Sequence, residues 1–299
     1  MPLTAEQIKA RRNYIGSSDV AAILGYSKYR TAEDVRLSKL HELEDEKFSE
    51  PAWLGTILQQ GLIDGVAHRY GWQVDHDVQV AHPEHPFLVA NLDAVGYAKG
   101  RQFVIEAKCI GLCNPMATYE EWGKPPDGEI PDEYLCQVQY QLAVSGLASA
   151  YVVALLGGAG LQVYRVQSDP GWDRVVAHLA RWWSVHVRGG KPCDPGSGVA
   201  DVAGRIIRQR KCVPIDNELA WRYVNAGIEQ REQAKSDVLV ALGDADEGLF
   251  EGGSLIVSKH YRETADMDLL RVSYPEAYEA TVRRSPVVKI KHVAPGDLA

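Results

Sequence analysis

Three charged residues have the types and the spacing of a hydrolytic site. Glu106 and Lys108 lie two positions apart in an apolar segment, and Asp93 lies in the apolar segment before it. Side chains two positions apart on a strand share a face, so Glu106 and Lys108 would be neighbours. Lys99 and Gly100 separate the two segments and predict a turn that folds Asp93 back against Glu106.

Two carboxylates beside a lysine suit metal-assisted hydrolysis of a phosphodiester. Carboxylate oxygens are hard ligands for Mg²⁺, which polarises a phosphate and lowers the pKa of a bound water. Lys108 would position that water or stabilise the negative charge that develops. An isolated Glu-x-Lys pattern is usually a surface ion pair, so the interpretation depends on the segments around it.

Hydrophobic periodicity predicts the elements that must position these residues. A β-meander contains the three charged residues, and helices and strands alternate after it. The expected strands cover residues 74–80, 87–97, 102–110, 150–156 and 161–166, and the expected helices cover 15–25, 53–70, 132–145 and 171–187. Further helices are predicted to begin at Thr4 and Thr31, and residues 41–50 are expected to form a surface loop.

A change in composition marks a boundary after the first two thirds of the chain. Residues 188–198 are rich in glycine and proline, which predicts a linker or long loop. We therefore expect a core in residues 1–190, a linker or long loop in 191–215 and an accessory region in 216–299. In the accessory region we expect a polar helix over 216–242, a strand over 251–261, a helix over 266–282 and a strand over 287–292.

Composition and charge limit the class of protein. With 299 residues, 45% of them hydrophobic, the chain is long enough to bury one sizeable core and a smaller appendage. No run of about 18 apolar residues occurs and the first residues lack the pattern of a secretory signal, so we expect a cytoplasmic protein without membrane contact. The net charge of −8 argues against general coating of nucleic acid. A nucleic-acid enzyme of this composition would need its basic residues in a groove.

Five cysteines at irregular spacing predict free thiols in a reducing compartment. Cys109, Cys113 and Cys136 leave a zinc or iron–sulfur site open as an alternative. The spacing lacks a CxxC pair, which makes this alternative the weaker one. The chain has no Walker A loop or dinucleotide fingerprint, so ATP-driven motion is not indicated.

The order of four segments resembles that of the YqaJ-like viral recombinases, which are related to the phage lambda-type exonucleases of the PD-(D/E)xK nuclease superfamily. The segments are Arg11 with IGSSD at 15–19, Gly55-x₂-Leu58, Asn91-Leu-Asp93 with Glu106-Ala-Lys108, and YLCQVQYQ at 134–141. They fall within residues 10–166. The resemblance implies an α/β fold: a restriction-endonuclease-like core with a mixed central β-sheet flanked by helices, and a C-terminal α+β accessory region.

The resemblance also implies a metal site and its catalytic lysine. Asp93 and Glu106 would bind Mg²⁺, with Mn²⁺ as a substitute. The backbone carbonyl of Ala107 or Cys109 would add another oxygen ligand. Lys108 would be the catalytic lysine.

The same resemblance implies contacts with DNA. Arg11 and Ser18 would hold a 5′ phosphate, Asn91 and Gln141 would contact the DNA, and Gln137 would contact DNA or order the catalytic site. A guanidinium grips a phosphate through two hydrogen bonds, and a hydroxyl at a helix start adds a donor near the positive end of the helix dipole. From the residues alone, Ser18 is equally a helix cap, Arg11 a surface residue and the glutamines a solvated helix face.

Gln59 departs from the family's pattern, in which a glutamate usually follows Gly-x-x-Leu. A neutral amide cannot supply the missing charge, so metal affinity or activity is expected to be reduced. Leu92 stands where the PD signature has its proline, which matters less.

The activity that the resemblance implies is a Mg²⁺-dependent 5′-to-3′ exonuclease. It would digest one strand of linear double-stranded DNA and leave 3′ overhangs for phage-type recombination. The expected assembly is a ring-shaped homotrimer, the expected partner a single-strand annealing protein, and the expected location the cytoplasm of a bacterial host of a phage or prophage. Two alternatives stay open: a DNA-end-binding protein with a weakened or inactive nuclease site, and a restriction-like endonuclease.

Overall fold

Two units make up the chain. The computed structural model describes residues 5–44, 49–112, 119–193, 201–264 and 283–293. Contacts group residues 1–40 with 48–196 in the first unit, and residues 41–47 with 197–299 in the second. The candidate site residues all belong to the first unit.

A mixed β-sheet of six strands forms the centre of the first unit. The strands are β1 (Ile15–Gly16), β2 (Gln73–Ala81), β3 (Leu88–Ala98), β4 (Arg101–Ile110), β5 (Ser149–Leu156) and β6 (Gly160–Gln167). Strands β2, β3 and β4 form an antiparallel meander, β5 runs parallel to β4, and β6 returns antiparallel to β5. Strand β1 runs parallel to β3. The predicted meander and the predicted mixed sheet are confirmed.

Helices flank this sheet, and glycines end two of them. The helices are α1 (Ala5–Ala10), α2 (Ser17–Ile23), α3 (Ala32–Leu40), α4 (Glu50–Tyr70), α5 (Asp132–Ser145) and α6 (Trp172–Trp182). Helices α4 and α5 end at Gly71 and Gly146, whose φ angles of 68° and 71° favour glycine because it has no Cβ. No helix in the described ranges is long and apolar enough to span a membrane.

The two faces of the sheet bury separate cores. One core packs the sheet against α2, α5 and α6 and includes Tyr140 and Leu179. The other core packs it against α4 and includes Ile63 and Phe103. Burying an apolar side chain of this size contributes roughly 1.5–3 kcal/mol. Because helices cover both faces of the mixed sheet, the predicted fold class is confirmed.

The second unit combines a four-stranded sheet with two helices. The helices are α7 (Asn217–Val224) and α8 (Ile228–Leu242), and the strands are β7 (Cys212–Pro214), β8 (Glu247–Phe250), β9 (Gly253–Thr264) and β10 (Arg283–Val293). The strand order is β10-β9-β8-β7. Helix α7 makes hydrogen-bonded contact with β10 through the Tyr223 hydroxyl, which donates to the Ile290 carbonyl.

One expectation about the second part of the chain differs from the structure, and short elements occur in two segments that were expected to be loops. The single helix predicted over 216–242 is wrong, because residues 225–227 separate α7 from α8. The loop predicted over 41–50 also pairs locally, since Leu43 forms a β-bridge with Ile206. A 3₁₀ helix at Asp201–Arg205 and β7 lie in the segment predicted as a linker. The helix predicted over 266–282 lies outside the described residues.

Candidate active site

A gap along one edge of β3 defines the candidate active site. Strand β1 pairs with Leu88 and Val89, and β4 pairs with residues 94–98. Both lie on the same edge of β3, because β2 occupies the other. Residues 90–93 have no strand partner on that edge among the described residues. The backbone there lies between β1 and β4 without a ladder partner on that side in the described part of the chain.

Asp93 lies at the end of this gap and joins β3 to β4 through its side chain. One step beyond the last β3–β4 pair, Ala94 with Ile105, Asp93 would lie opposite Glu106. Its Oδ2 accepts a hydrogen bond of 2.8 Å from the backbone N–H of Ala107. The predicted approach of Asp93 to the Glu106 segment is thus present, and a side chain makes the link.

Glu106 lies at the centre of the cluster and is only 2% exposed. Its Oε1 accepts hydrogen bonds from Lys108 Nζ at 2.7 Å and from Gln137 Nε2 at 2.6 Å. Its Oε2 accepts one from Gln141 Nε2 at 2.7 Å. Gln137 Oε1 in turn accepts a hydrogen bond of 2.9 Å from Lys108 Nζ, so the four side chains form one closed network.

Burial and neighbouring charges shift the pKa values of Asp93 and Lys108. Burial, and then the negative charge of Glu106, raise the pKa of Asp93 to about 8. Burial by itself would lower the pKa of Lys108, but the charges of Glu106 and Asp93 together outweigh it and raise that pKa. Lys108 therefore stays a cation, while Asp93 holds a proton near neutral pH until another positive charge arrives.

Helix α5 supplies the other side of the network. Tyr134, Gln137 and Gln141 follow the spacing i, i+3, i+7 and so lie along one side of the helix. The Tyr134 ring centre is 5.2 Å from Lys108 Nζ, which is within the range of a cation–π contact. Sequence analysis placed Tyr134 on this side of the helix but assigned it no contact with the lysine.

The two residues expected to hold a 5′ phosphate are in contact with each other. Arg11 Nη2 donates a hydrogen bond of 2.8 Å to Ser18 Oγ. Ser18 is exposed whereas the preceding Ser17 is buried, so only the Ser18 hydroxyl is available to a ligand. Asn91, on the gap of β3, donates to the Tyr14 hydroxyl at 3.4 Å. Strand β1, which separates Tyr14 from Ser18, thus places this cluster at the same edge of β3 as Asp93.

A buried ion cluster holds the start of α2 in place. Asp19 Oδ2 accepts hydrogen bonds from the Gly16 N–H at 3.0 Å and from Lys39 Nζ at 2.7 Å, and Lys39 also donates to the Arg11 carbonyl. Burial would raise the pKa of Asp19, but the charges of Lys39 and Arg30 outweigh it and hold that pKa at about 2. Sequence analysis missed this support, because nothing in the spacing of Asp19 and Lys39 marks them as partners.

Two glutamines with expected roles, Gln141 and Gln59, lie on α5 and α4. Gln141 was expected to contact DNA, but its side chain is fully buried beneath Glu106. This placement corrects the expectation: Gln141 orients the carboxylate from the interior. Gln59 lies on α4 and is half-buried, so an uncharged amide does stand at the position where the resemblance expects a carboxylate.

The oxygen atoms around Asp93 and Glu106 suit a divalent cation that prefers oxygen ligands. A carboxylate has about four acceptor positions, and the three donors on Glu106 leave one of them open. Gln141 Oε1 is buried without a hydrogen-bond partner. In the described ranges no group of three or more His, Cys, Asp or Glu side chains could hold a metal, so the fit depends on Asp93, Glu106 and backbone oxygen. Ala107 as a carbonyl ligand stays a prediction, and Cys113 of the cysteine alternative lies outside the described residues.

Two solved structures of exonucleases are similar in outline. An alkaline exonuclease, LHK-Exo from Laribacter hongkongensis, is 16% identical, covers 62% of this chain and 94% of its own, and has a TM-score of 0.45. A phage-related exonuclease from Haemophilus somnus 129PT is 14% identical, covers 64% and 86%, and has a TM-score of 0.34.

A sequence relative matches about two thirds of the chain, and a family model matches the part that holds the site. The uncharacterized protein YqaJ of Bacillus subtilis strain 168 is 30% identical over 204 residues, which are 66% of this chain and 60% of that protein. The chain thus spans less than two thirds of the length of this relative. Residues 7–148, which carry both the Arg11 cluster and the Glu106 network, match the model of the YqaJ-like viral recombinase domain.

Proposed function

We propose that this chain is a divalent-cation-dependent exonuclease that digests one strand of linear double-stranded DNA from its 5′ end. One observation carries the proposal: Asn91, which contacts the segment of Arg11 and Ser18, lies two positions before Asp93 on β3. Two positions on a strand span about 7 Å, which is roughly two nucleotides of B-form rise. A phosphate-binding pair and a hydrolytic cluster therefore lie within reach of one DNA end.

The residues divide the chemistry between them. Arg11 and Ser18 would hold the terminal phosphate, which places a phosphodiester further along the strand beside the carboxylates. Asp93 and Glu106 would hold Mg²⁺ or Mn²⁺, which polarises that phosphodiester and lowers the pKa of a bound water. Lys108 keeps its positive charge next to Glu106, so its ammonium is ready to stabilise charge on the reacting phosphate.

An assay with three DNA substrates tests the proposal. The protein is incubated with Mg²⁺ and linear duplex bearing a 5′ phosphate, linear duplex bearing a 5′ hydroxyl, or covalently closed circles. Progressive loss of one strand from phosphorylated ends, leaving 3′ overhangs, is the expected result. Nicking of closed circles would contradict it and indicate a restriction-like endonuclease. The homotrimeric ring and the annealing partner stay predictions that this assay does not address.

Arg11→Ala is expected to remove the preference for phosphorylated ends. Losing a two-pronged guanidinium contact with phosphate costs a factor of about 10 to 100, so kcat/KM should fall by that factor on phosphorylated DNA and change little on hydroxyl ends. Arg12→Ala is the matched control, because the Arg12 guanidinium donates to the Leu40 carbonyl inside the fold. An equal loss on both kinds of end would contradict the assigned role.

A second candidate, a DNA-end-binding protein with a weak nuclease site, is favoured by one observation: the neutral amide of Gln59 on α4. Gln59→Glu is expected to lower the Mg²⁺ concentration for half-maximal cleavage by about tenfold, because an added carboxylate strengthens binding of a hard cation. Gln60→Glu, at the neighbouring exposed position, should leave it unchanged. DNA binding without products in every variant would support the second candidate over the exonuclease.

A further inference from the structure

Asp77 has an unusual backbone conformation at a position directly across from Asp93. The β2–β3 ladder pairs His76 with Ala94 and Val78 with Leu92. The intervening position would pair Asp77 with Asp93, and no pair forms there. Asp77 has a φ angle of 54°, a left-handed conformation that few residues other than glycine, asparagine and aspartate adopt.

The hairpin changes faces at this level. In β2, Val74 packs on the core beside α4, whereas Val78 packs on the core beside α5. In β3, Ala94 packs on the first of these cores and Leu92 on the second. Regular alternation would put both members of each pair on one face. The two strands change faces at Asp77 and Asp93. The left-handed backbone of Asp77 is therefore part of the local twist that turns Asp93 towards β4.

Asp77 carries a carboxylate at the strand position across from Asp93. It is exposed, and among the described residues no ion pair or side-chain hydrogen bond engages it. Residues in such sparsely populated backbone conformations cluster at functional sites, where the surrounding structure holds them in place.

We propose that Asp77 is a positioning residue of the candidate active site, whose carboxylate attracts the divalent cation from outside the inner ligands and replaces the charge that Gln59 lacks. This inference rests on the proposed function. It agrees with the absence of any three-carboxylate group among the described residues, because an outer carboxylate need not touch the cation. An exposed charge that acts on a metal without direct contact is partly screened by water, so it changes metal affinity by about fivefold at most.

Calorimetric titration with Mn²⁺, in the absence of DNA, tests the role of Asp77 without relying on activity. Asp77→Asn removes the charge and keeps the backbone, since asparagine tolerates the left-handed conformation. We expect its Mn²⁺ dissociation constant to rise about fivefold. Asp75→Asn is the matched control, because Asp75 is exposed on the same strand and accepts a hydrogen bond from the Tyr97 hydroxyl. It should bind Mn²⁺ as the wild type does.

Asp77→Gly separates charge from conformation. Glycine adopts the left-handed conformation without strain, so this variant should melt at a higher temperature than the wild type while it loses Mn²⁺ affinity as Asp77→Asn does. Unchanged affinity in both Asp77 variants, or an equal loss in Asp75→Asn, would overturn the role of Asp77 alone. Failure of the wild-type protein to bind Mn²⁺ would overturn the metal site itself, and with it the proposed function.

Discussion

Lys108→Ala is expected to reduce cleavage of linear DNA by about 1000-fold, which is the range for removing a group that stabilises charge in a transition state. The ammonium bridges Glu106 and Gln137 at 2.7 Å and 2.9 Å, and no other lysine or arginine in the described residues pairs with Glu106. The measurement is the initial rate of strand loss with saturating Mg²⁺. Lys211→Ala, which breaks an exposed pair with Asp244, should change the rate less than about twofold.

Stability must be checked in the same experiment, because Glu106 is buried. Removing its cation leaves a buried carboxylate without a charge partner, at a cost of about 3 kcal/mol. Lys108→Arg keeps the charge and should melt close to the wild type, yet it should still lose about 100-fold in rate because a planar guanidinium cannot occupy the place of an ammonium. Wild-type rates in folded Lys108→Ala protein would show that the catalytic residues are elsewhere.

Asp93→Asn is expected to abolish cleavage and, in metal-free protein, to stabilise the fold at alkaline pH. The pKa of Asp93 is raised to about 8 in the fold, so the folded state holds a proton that the unfolded state releases near pH 4. Stability of the wild type therefore falls as the pH rises from about 4 through about 8. Asparagine does not titrate, so the melting temperature of Asp93→Asn should exceed that of the wild type by more as the pH rises over this range.

Melting curves in EDTA at several pH values measure this difference, and added Mn²⁺ completes the test. Mn²⁺ should raise the melting temperature of the wild type, most strongly above pH 8, and leave Asp93→Asn unchanged. Asp127→Asn is the control, because Asp127 forms an exposed pair with Arg165 and should show no such growth with pH. A difference between Asp93→Asn and the wild type that does not vary with pH would contradict the burial and the charge assigned to Asp93.

Local rules account for what the sequence predicted correctly. The period of two residues placed Glu106 beside Lys108 on one strand. Lys99 and Gly100 predicted a tight turn, and their φ angles of 50° and 72° are those of a two-residue hairpin. Gly71 ends α4 where the helical period stops. Each of these depends on neighbours within a few positions, which a single sequence displays.

The same local reasoning failed where backbone breaks carry weak signals. The polar stretch over 216–242 has helical composition throughout, and only Gly227 marks the separation of α7 from α8. A glycine inside a helical pattern is often tolerated, so its role as a boundary depends on packing. The domain limits expected at residues 190 and 216 stay predictions.

By itself the sequence determined that Glu106 and Lys108 share one face of a strand and that Asp93 lies on the strand before it, since residue types and strand spacing are local properties. Only the tertiary structure decided how they meet. The Asp93 hydrogen bond to the Ala107 N–H, the burial of Gln141 beneath Glu106 and the left-handed Asp77 across from Asp93 join segments that are far apart in the chain. Such contacts depend on strand pairing and on which helix covers which face, and neither is encoded in the spacing of neighbouring residues.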